Sequence, residues 1–546
     1  MAASSTTALS ASNSTTVNRS GPEVFAEIAL REVPKLLTLQ DRNPHSPTYG
    51  CFDRGYWHYK TSDFPCGMSQ EFVWPLALAL DVDLPNNPCR GSEAVRQFVR
   101  AGILFAARSS HADGSCDDYF PNERALGATA FSLLACVEAY QLIGMQSDEA
   151  RDFFVRRADW LARRHESGRL SNHHALVALC LDLVGRLCKI DNFLAARDER
   201  LRRLLSWQTS EGWFPEYDGF DPGYDTLTLS CLARLHETQP SAQLEKAIRA
   251  SVSVLGNFVH PDGSFGGEYG SRNTYNFFPH GFELVGRWLP AALTINDRFL
   301  AGLRTGRAAC FADDRIIGHH LWNYLLAARD FVAERPAESG QREDRVELSH
   351  AGMIVDRRAG VELYAALAKG GVLKIFRDDE LVLSDTGISL RTRDGRVAVA
   401  HLIDNYEREV GPDRIAVRGQ MGWAKQARIT PARLLLLRLI NLTIGLVAPN
   451  LVRLLLQRLL VTGKKPAPFH FQRTLEWTGT GWNITDRIAA KSWREIVAVG
   501  IAPDQTSIYV AMSRTFQTAQ LQEWTDLSDK LSGLRDGEPL IVHRSV

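Results

Sequence analysis

The chain has 546 residues, of which 45% are hydrophobic and 23% are charged, a composition typical of a globular protein. This length exceeds what one hydrophobic core usually supports, so two domains are expected. The 63 lysines and arginines balance the 63 aspartates and glutamates, which argues against nucleic acid as a partner. An anionic ligand would have to meet a local cluster of basic residues.

The first 20 residues are rich in Ser, Thr and Ala and lack the basic start and apolar core of a secretory signal. They are predicted to form a disordered tail. The nine cysteines are scattered, without CxxC pairs or zinc-ligand spacing, and are expected to be free buried thiols in a reducing compartment. The sequence therefore favours a cytoplasmic protein with no metal and no cofactor.

A supersecondary unit recurs over residues 90 to 290. Four short turns mark it, and their glycines are 54, 44 and 51 residues apart, a period that suits a pair of antiparallel helices: Asp113-Gly114, Ser167-Gly168, Glu211-Gly212 and Asp262-Gly263. Amphipathic runs precede the turns, at 93–107, 151–163, 192–207 and 244–259. More apolar runs follow them, at 125–142, 175–187 and 227–235. The amphipathic runs fit outer helices with one solvent-exposed face, and the more apolar runs fit inner helices that are packed on both sides. Together they predict an (α/α) toroid over residues 21–335.

The loops that lead into the inner helices are expected to meet at one rim of the toroid. They are rich in aromatic, acidic and amide side chains, at 111–119, 211–224 and 262–280. Aromatic faces stack on sugar rings, and carboxylates and amides bind hydroxyls, so a glycan site is one interpretation. The other interpretation is that these loops are glycine-rich turns whose aromatic side chains only fill space in the fold.

From Arg345 the hydrophobic period changes to two, over 346–355, 360–367, 371–376 and 381–384, with further strand candidates at 470–477, 482–486 and 506–513. An antiparallel β-sandwich is predicted for residues 345–546, after a linker at 333–345. The fold class is thus α+β with more than one domain.

A leucine- and arginine-rich segment at about 430–462 interrupts the β-rich half. Its uncharged part, Leu439 to Val452, contains Pro449 and is too short to span a bilayer. Two helices lying in a membrane interface, followed by Lys464 and Lys465, are one prediction, with peripheral contact through 431–465. A buried helical insertion or an oligomer contact is the alternative.

The residues best suited to chemistry are the Asn172-His173 pair and Tyr224, about fifty residues apart. An amide can donate to a substrate carboxylate while an imidazole accepts or relays a proton. Removal of the C5 proton of a uronic acid requires that its carboxylate be neutralised, and Asn172 and Arg272 suit that task. Tyr224 and His173 could share the acid and base roles. The alternative is structural: Asn172 caps a helix, and the histidines are residues at the rim whose hydrogen bonds are made within the protein.

The sequence Ser171-Asn-His-His174, followed by Glu211-Gly-Trp-Phe-Pro-Glu-Tyr217 and then Tyr224-Asp225, resembles the heparinase II/III and alginate lyase group over about residues 90–400. The resemblance implies an (α/α) toroid joined to a β-sandwich, and β-elimination on a uronate polymer. It implies that Asn172 neutralises the carboxylate, that His173 is the base or its helper, that Tyr224 transfers protons, and that Arg272 grips an acidic sugar. The expected substrate-binding residues are His174, Trp213, Glu216, Tyr217, Glu268, Tyr275 and His280.

One departure from the group is a lysine, Lys369, near where a histidine-rich strand motif is expected. His350 and His401 are the nearby substitutes, and their spacing does not suggest zinc.

The sequence thus predicts a lyase for an acidic polysaccharide, at the inner membrane face beside exopolysaccharide assembly. The alternatives are a glycoside hydrolase using carboxylates such as Asp113 with Asp117 or Asp118, or Glu216 with Asp221, a uronate C5-epimerase, and a non-catalytic glycan-binding component of an assembly complex.

Overall fold

The computed structural model describes residues 20–84, 87–166, 168–217, 219–309, 315, 317–336, 342–424, 430–457, 464–504 and 517–546. The strand predicted at 506–513 and all but the last residue of the predicted tail lie outside the described residues. The linker predicted at 333–345 does so in part.

Most of the helices lie in the N-terminal part of the chain. Their bounds are α1 Gly21–Leu39, α2 Arg54–Trp57, α3 Val73–Ala79, α4 Glu93–Ser109, α5 Leu126–Leu142, α6 Asp148–Arg163, α7 Ser171–Cys188, α8 Asp191–Leu205, α9 Pro222–Thr238, α10 Ala242–Leu255, α11 His280–Gly286, α12 Pro290–Arg304, α13 Ile317–Arg329, α14 Pro431–Val447 and α15 Pro449–Gln457.

The first thirteen helices form a two-layered ring. Successive inner helices α3, α5, α7, α9, α11 and α13 contact one another in order, and the contact between α13 and α3 closes the ring. Helices α1, α4, α6, α8, α10 and α12 lie outside them. The inner helices are almost wholly buried, as their continuous apolar sequence predicts, whereas outer helices such as α4 and α6 keep a wet face. The predicted (α/α) toroid is confirmed.

Two inner helices begin earlier than their apolar runs predict. Helix α7 begins at Ser171, so the segment 171–174 is its first turn. Helix α9 begins at Pro222, after Asp221, whose carboxylate accepts a hydrogen bond from the backbone N–H of Tyr224. The apolar pattern missed both first turns because they lie at the rim, where polar side chains replace the packed ones.

The C-terminal part is built from antiparallel strands. Their bounds are β1 Arg345–Leu348, β2 Met353–Arg358, β3 Val361–Ala366, β4 Val372–Arg377, β5 Glu380–Asp385, β6 Ile388–Thr392, β7 Val397–Val399, β8 Glu407–Val410, β9 Arg414–Trp423, β10 Pro466–Trp477, β11 Trp482–Ala490, β12 Ile496–Ile501, β13 Thr525–Asp526 and β14 Leu540–Ser545. The run 346–355, which has one continuous period in the sequence, is divided between β1 and β2 by a turn.

The strands form two sheets. Five follow the order β1-β2-β3-β4-β5, and nine form the second sheet, in the order β13-β12-β6-β7-β9-β10-β11-β14 with β8 beside β9. Alternate residues of the first sheet point to opposite sides: Tyr364 and Phe376 join the toroid core, whereas Leu363 and Ile375 pack against the second sheet. The first sheet is therefore the middle layer of the molecule, and the predicted β-sandwich is confirmed.

A buried charge network lies between the two sheets. The guanidinium of Arg473 pairs with Asp385 (3.0 Å) and Asp486 (2.7 Å), and Arg544 contacts the same two carboxylates. Each charge has partners of opposite sign, so the network can stay ionised inside the sandwich.

Helices α14 and α15 form a hairpin between the paired strands β9 and β10. Its leucines are largely exposed, which does not fit the buried insertion considered above. Among the described residues, no helix is both long and apolar enough to cross a membrane. The eight described cysteines are free thiols, and all but Cys188 are buried.

Candidate functional site

The candidate site lies where the first turns of two neighbouring inner helices meet. Asn172 and His173 belong to the first turn of α7, and Tyr224 belongs to the first turn of α9. The two helices pack side by side in the inner layer. Residues far apart in sequence are thereby brought to one rim of the toroid.

The loop between α8 and α9 is joined to the segment that enters α7. Leu170 and Glu216 form an isolated antiparallel bridge, and the backbone N–H of Tyr217 donates to Arg169 O (2.7 Å). The Ser171 hydroxyl donates to the carbonyl of Pro215 (2.6 Å). These bonds hold Glu216 and Tyr217 beside Asn172, and Tyr217 adopts a left-handed backbone conformation (φ 60°) to complete the bend.

Glu216 is the electrostatic centre of the group. Its side chain is buried, and burial raises the pKa of this carboxyl to about 7, although His173, Arg272 and Asn172 beside it lower that pKa. The Asn172 amide lies close enough to Glu216 for this effect, but neither its nitrogen nor its oxygen makes a hydrogen bond of regular geometry with a described residue. A buried amide in this state can bind a ligand at little cost.

Arg272 enters the group from the loop between α10 and α11. Its guanidinium lies 4.3 Å from the ring centre of Tyr217, a cation–π contact. The backbone N–H of Arg272 donates to Asp221 (2.9 Å), and the same carboxylate accepts from Thr274 and from the N–H of Tyr224. Asp221 therefore ties the loop that carries Arg272 to the start of α9.

The phenol of Tyr224 stays protonated in this setting. Burial raises its pKa well above the ordinary value; the charge of Arg272 opposes that shift, whereas Glu216 and Asp221 add to it. Arg272, Glu216 and Asp221 therefore lie close enough to the Tyr224 phenol to affect its pKa. Asn172, His173, Tyr224 and Arg272 thus all lie within electrostatic range of Glu216.

The ring of His173 contacts a carboxylate that the sequence did not predict. Its Nδ1 lies 2.6 Å from Glu166 Oε2, and both side chains are partly exposed. A carboxylate at Nδ1 orients the ring of His173, and Nε2 is the second nitrogen of such a ring that can exchange protons with a ligand. Gly127 makes room for the imidazole, because a Cβ there would lie 2.8 Å from the ring.

Glu166 could have been found from the repeat. In the other three turns the residue before the glycine is acidic, whereas at Gly168 it is a serine and the acidic side chain stands two residues before the glycine. The displaced carboxylate is the one that reaches His173.

Lys369, which stands near the expected histidine motif, contributes a buried amino group from the turn between β3 and β4. Its ammonium donates to the carbonyls of Glu268 (2.5 Å) and Gly270 (2.9 Å) and to the side chain of Asn273. Burial lowers the pKa of Lys369 to about 7, with Glu268 and Asp221 opposing that shift. Lys369 thus holds the loop on which Arg272 lies.

The sequence-predicted substrate-binding residues do not all join this group. Glu216 and Tyr217 do. His174 faces the outer layer beside Trp207 (4.5 Å between ring centres), and Trp213 is buried against Phe220.

The remaining predicted residues lie further along the ring. His280 pairs with Asp330 (2.8 Å) at the end of α13. Tyr275 and Glu268 bond to each other and meet Lys374 of the first sheet. Their substrate contacts stay predictions.

Two other histidines lie outside the group. His401 is held by the carbonyl of Thr386 (2.9 Å), and His350 is exposed in the turn between β1 and β2. Among the residues that the structure describes, no three His, Cys, Asp or Glu side chains are grouped as metal ligands.

Solved structures with the same architecture include two polysaccharide lyases. Chondroitin AC lyase of Streptomyces coelicolor A3, solved with chondroitin sulphate, aligns with a TM-score of 0.52 at 12% identity, over 88% of this chain and 68% of the lyase. Xanthan lyase of Paenibacillus aligns with a TM-score of 0.51 at 11% identity, over 88% of this chain and 46% of the lyase. This chain therefore spans about half the length of xanthan lyase.

At such low identity the likeness concerns the fold, a helical toroid followed by β-sheets. No protein-family profile matches the chain. No curated protein sequence matches it either. The resemblance to the heparinase II/III group stays a prediction.

Proposed function

We propose that this protein is a polysaccharide lyase that cleaves a uronate-containing acidic glycan by β-elimination. The observation that carries the proposal is the group around Glu216, in which an amide, an imidazole, a phenol and a guanidinium approach one buried carboxyl. Each is a group that elimination next to a uronate requires. The fold shared with two polysaccharide lyases, and the resemblance to the heparinase II/III group, support the same reaction class.

In the proposed reaction, Arg272 and Asn172 bind the uronate carboxylate and stabilise the negative charge that moves onto it as C5 loses its proton. Glu216 suits this neighbourhood, because with its pKa raised to about 7 it can remain neutral beside a second carboxylate. Its protonation avoids repulsion of the bound sugar.

His173 is the proposed base. Glu166 orients its ring, so Nε2 accepts the C5 proton. The C5–H electron pair forms the C4–C5 double bond as the C4–O bond breaks. Tyr224, which burial keeps protonated, donates its proton to the departing oxygen, and the two side chains then exchange protons with water.

The hydrolase alternative is less well supported by the carboxylates present. Asp221, the partner of Glu216 in that alternative, is engaged by Thr274 and by the backbone of Arg272 and Tyr224. A carboxylate so engaged is a poor base for activating water. An epimerase would use the same proton abstraction without breaking the chain. A non-catalytic glycan-binding role would need neither proton transfer.

The proposal extends to the setting. A lyase of this kind would trim or edit an acidic exopolysaccharide beside its assembly complex, at the inner face of the membrane.

The test is to incubate the purified protein with a panel of acidic glycans and to follow the ultraviolet absorbance of the conjugated unsaturated uronate. The variants Tyr224→Phe and His173→Gln are expected to lower the rate by roughly a hundredfold or more while glycan binding persists. Tyr59→Phe, at an exposed tyrosine, is the matched control and should keep full activity. No absorbance change with any glycan, or equal rates in all variants, contradicts the proposal.

A further inference from the structure

The hairpin of α14 and α15 belongs to none of the described hydrophobic cores. It leaves the second sheet after β9 and returns at β10, two strands that pair directly with each other. No side chain that the structure describes in either helix joins the core clusters of the toroid or of the sandwich. The folded core therefore does not explain why this hairpin is so rich in leucine.

Most of the described apolar side chains of the hairpin are exposed, although Val452 is buried and Ile440 is half-buried. Val447 is 88% exposed, Leu435 70%, Leu451 62% and Leu439 60%. The side of α14 that meets the protein is instead a narrow stripe at four-residue spacing, Leu437, Asn441 and Gly445. A helix of a soluble protein normally buries its leucines and exposes its polar residues, and here that arrangement is reversed.

The hairpin is nevertheless held in place on the toroid rim. Arg438 pairs with Asp63 (2.6 Å), and the Asn122 amide donates to the carbonyl of Asn441 (3.4 Å). Pro449 and Asn450 line a small cavity together with Glu166, the partner of His173. The exposed leucines therefore belong to a positioned element next to the candidate site.

The charge of the segment has one sign. No aspartate or glutamate occurs between Asp413 and Glu476, whereas Arg433, Arg438, Lys464 and Lys465 flank or interrupt the leucines. Basic side chains beside an exposed apolar surface complement a bilayer that carries anionic headgroups. Arg438 and Lys464 pair with Asp63 and Asp404 of the same chain, whereas the side chains of Arg433 and Lys465 are exposed.

We infer that the α14–α15 hairpin binds peripherally to an anionic phospholipid bilayer. The leucines enter the boundary between headgroups and acyl chains, and the exposed Arg433 and Lys465 remain at headgroup depth. The hairpin lies in the plane of the interface, with its helices parallel to the membrane surface. This inference does not depend on the proposed lyase activity.

The experiment is flotation of the full-length protein with vesicles of phosphatidylcholine alone or of phosphatidylcholine mixed with phosphatidylglycerol. The protein should float with the mixed vesicles, less so with neutral ones, and less at high salt. The triple variant Leu435→Gln/Leu439→Gln/Val447→Gln should lose binding by at least roughly tenfold. The control Val410→Gln/Leu521→Gln changes exposed apolar residues outside the hairpin and should bind as the unmodified protein does.

Circular dichroism and the melting temperature verify that the triple variant is folded. No flotation with mixed vesicles, or equal flotation of the triple variant, overturns the inference. Sedimentation without vesicles tests a second copy of the chain as the occupant. If the unmodified protein is a dimer, the triple variant is a monomer and neither binds vesicles, the exposed surface serves self-association. This result would also overturn the inference of membrane binding.

Discussion

At the scale of single residues, the site depends on groups whose protonation is set by burial. Glu216 is the clearest case, because its buried carboxyl is surrounded by His173, Arg272 and Asn172 and still keeps a raised pKa. The desolvation of the carboxylate outweighs the nearby cation and donors. A buried carboxyl with a raised pKa lowers the stability of the folded protein at neutral pH, and such groups are common at sites of binding or proton transfer.

Replacing Glu216 with glutamine should change how stability depends on pH. The folded-state pKa is about 7 against an ordinary 4.5, so between these values the folded protein keeps a proton that the unfolded chain has released. The stability contribution is full below pH 4.5 and falls as the pH rises to 7, by up to about 3 kcal/mol. Urea unfolding at both ends of this window should show that Glu216→Gln loses less stability than the unmodified protein. An identical loss would contradict this reading.

Lys369 is expected to act as a positioning residue through the loop of Arg272. In Lys369→Met the carbonyls of Glu268 and Gly270 lose their donor, at a cost of roughly 1–3 kcal/mol. Amide hydrogen exchange of residues 268–274 should accelerate, and glycan binding should weaken. The matched change at exposed Lys491 should alter neither quantity, and unchanged exchange in Lys369→Met would refute the assignment.

At the scale of elements, three of the four repeat turns dock on the next outer helix. Gly114, Gly212 and Gly263 have positive φ, and a Cβ on any of them would lie 2.5–2.6 Å from a backbone atom of α6, α10 or α12. Gly50 does the same against α4, and the sequence analysis missed it. The glycines recur because the close approach of turn to helix recurs.

Alanine at one of these glycines should therefore cost more than the loss of backbone freedom alone. Gly212 (φ 95°) would place its Cβ 2.5 Å from Ala250 O, whereas Gly144 (φ 62°) has open space around it. Gly212→Ala should lower the free energy of unfolding by roughly 2 kcal/mol more than Gly144→Ala. Equal effects of the two variants in thermal or urea unfolding would argue against a docking role.

The helices and strands also show which parts of the fold can be predicted from the sequence. The toroid and the β-rich half were predictable because inner helices and paired strands have strong hydrophobic periods. The first turns of α7 and α9 could not be predicted from the hydrophobic period, because their side chains are polar and lie at the rim of the toroid rather than in its core. The turn acid Glu166 was missed for a similar reason: its partner His173 is adjacent only in space.

At the scale of the whole molecule, the first sheet connects the toroid to the second sheet. One of its faces carries Lys374 to the loops of the toroid, the turn between β3 and β4 carries Lys369 to them, and the other face closes the sandwich. The sequence predicted both domains but not this contact, since the contact depends on alternation within strands that are buried on both sides. The part of the site that comes from the sandwich was therefore missed.

Acid should destabilise the molecule through its buried histidines. Burial lowers the pKa of His174 to about 3 and those of His280 and His401 to about 4, against an ordinary 6.5. Below pH 6.5 the unfolded chain binds protons that the folded protein does not, so stability is lost as the pH falls from 6.5 towards 4. His401→Gln should flatten the decline in melting temperature over this range, whereas His543→Gln, at an exposed histidine, should not. A decline of the same steepness in both variants would contradict this account.

In the proposed reaction, the group around Glu216 removes the C5 proton of a uronate and expels the 4-linked sugar. Proton NMR of the glycan products, recorded as cleavage proceeds, tests it most directly. Elimination predicts one vinylic H4 signal for each new reducing end, and the loss of both in Tyr224→Phe. New reducing ends without a vinylic signal would mean hydrolysis and would contradict the claim.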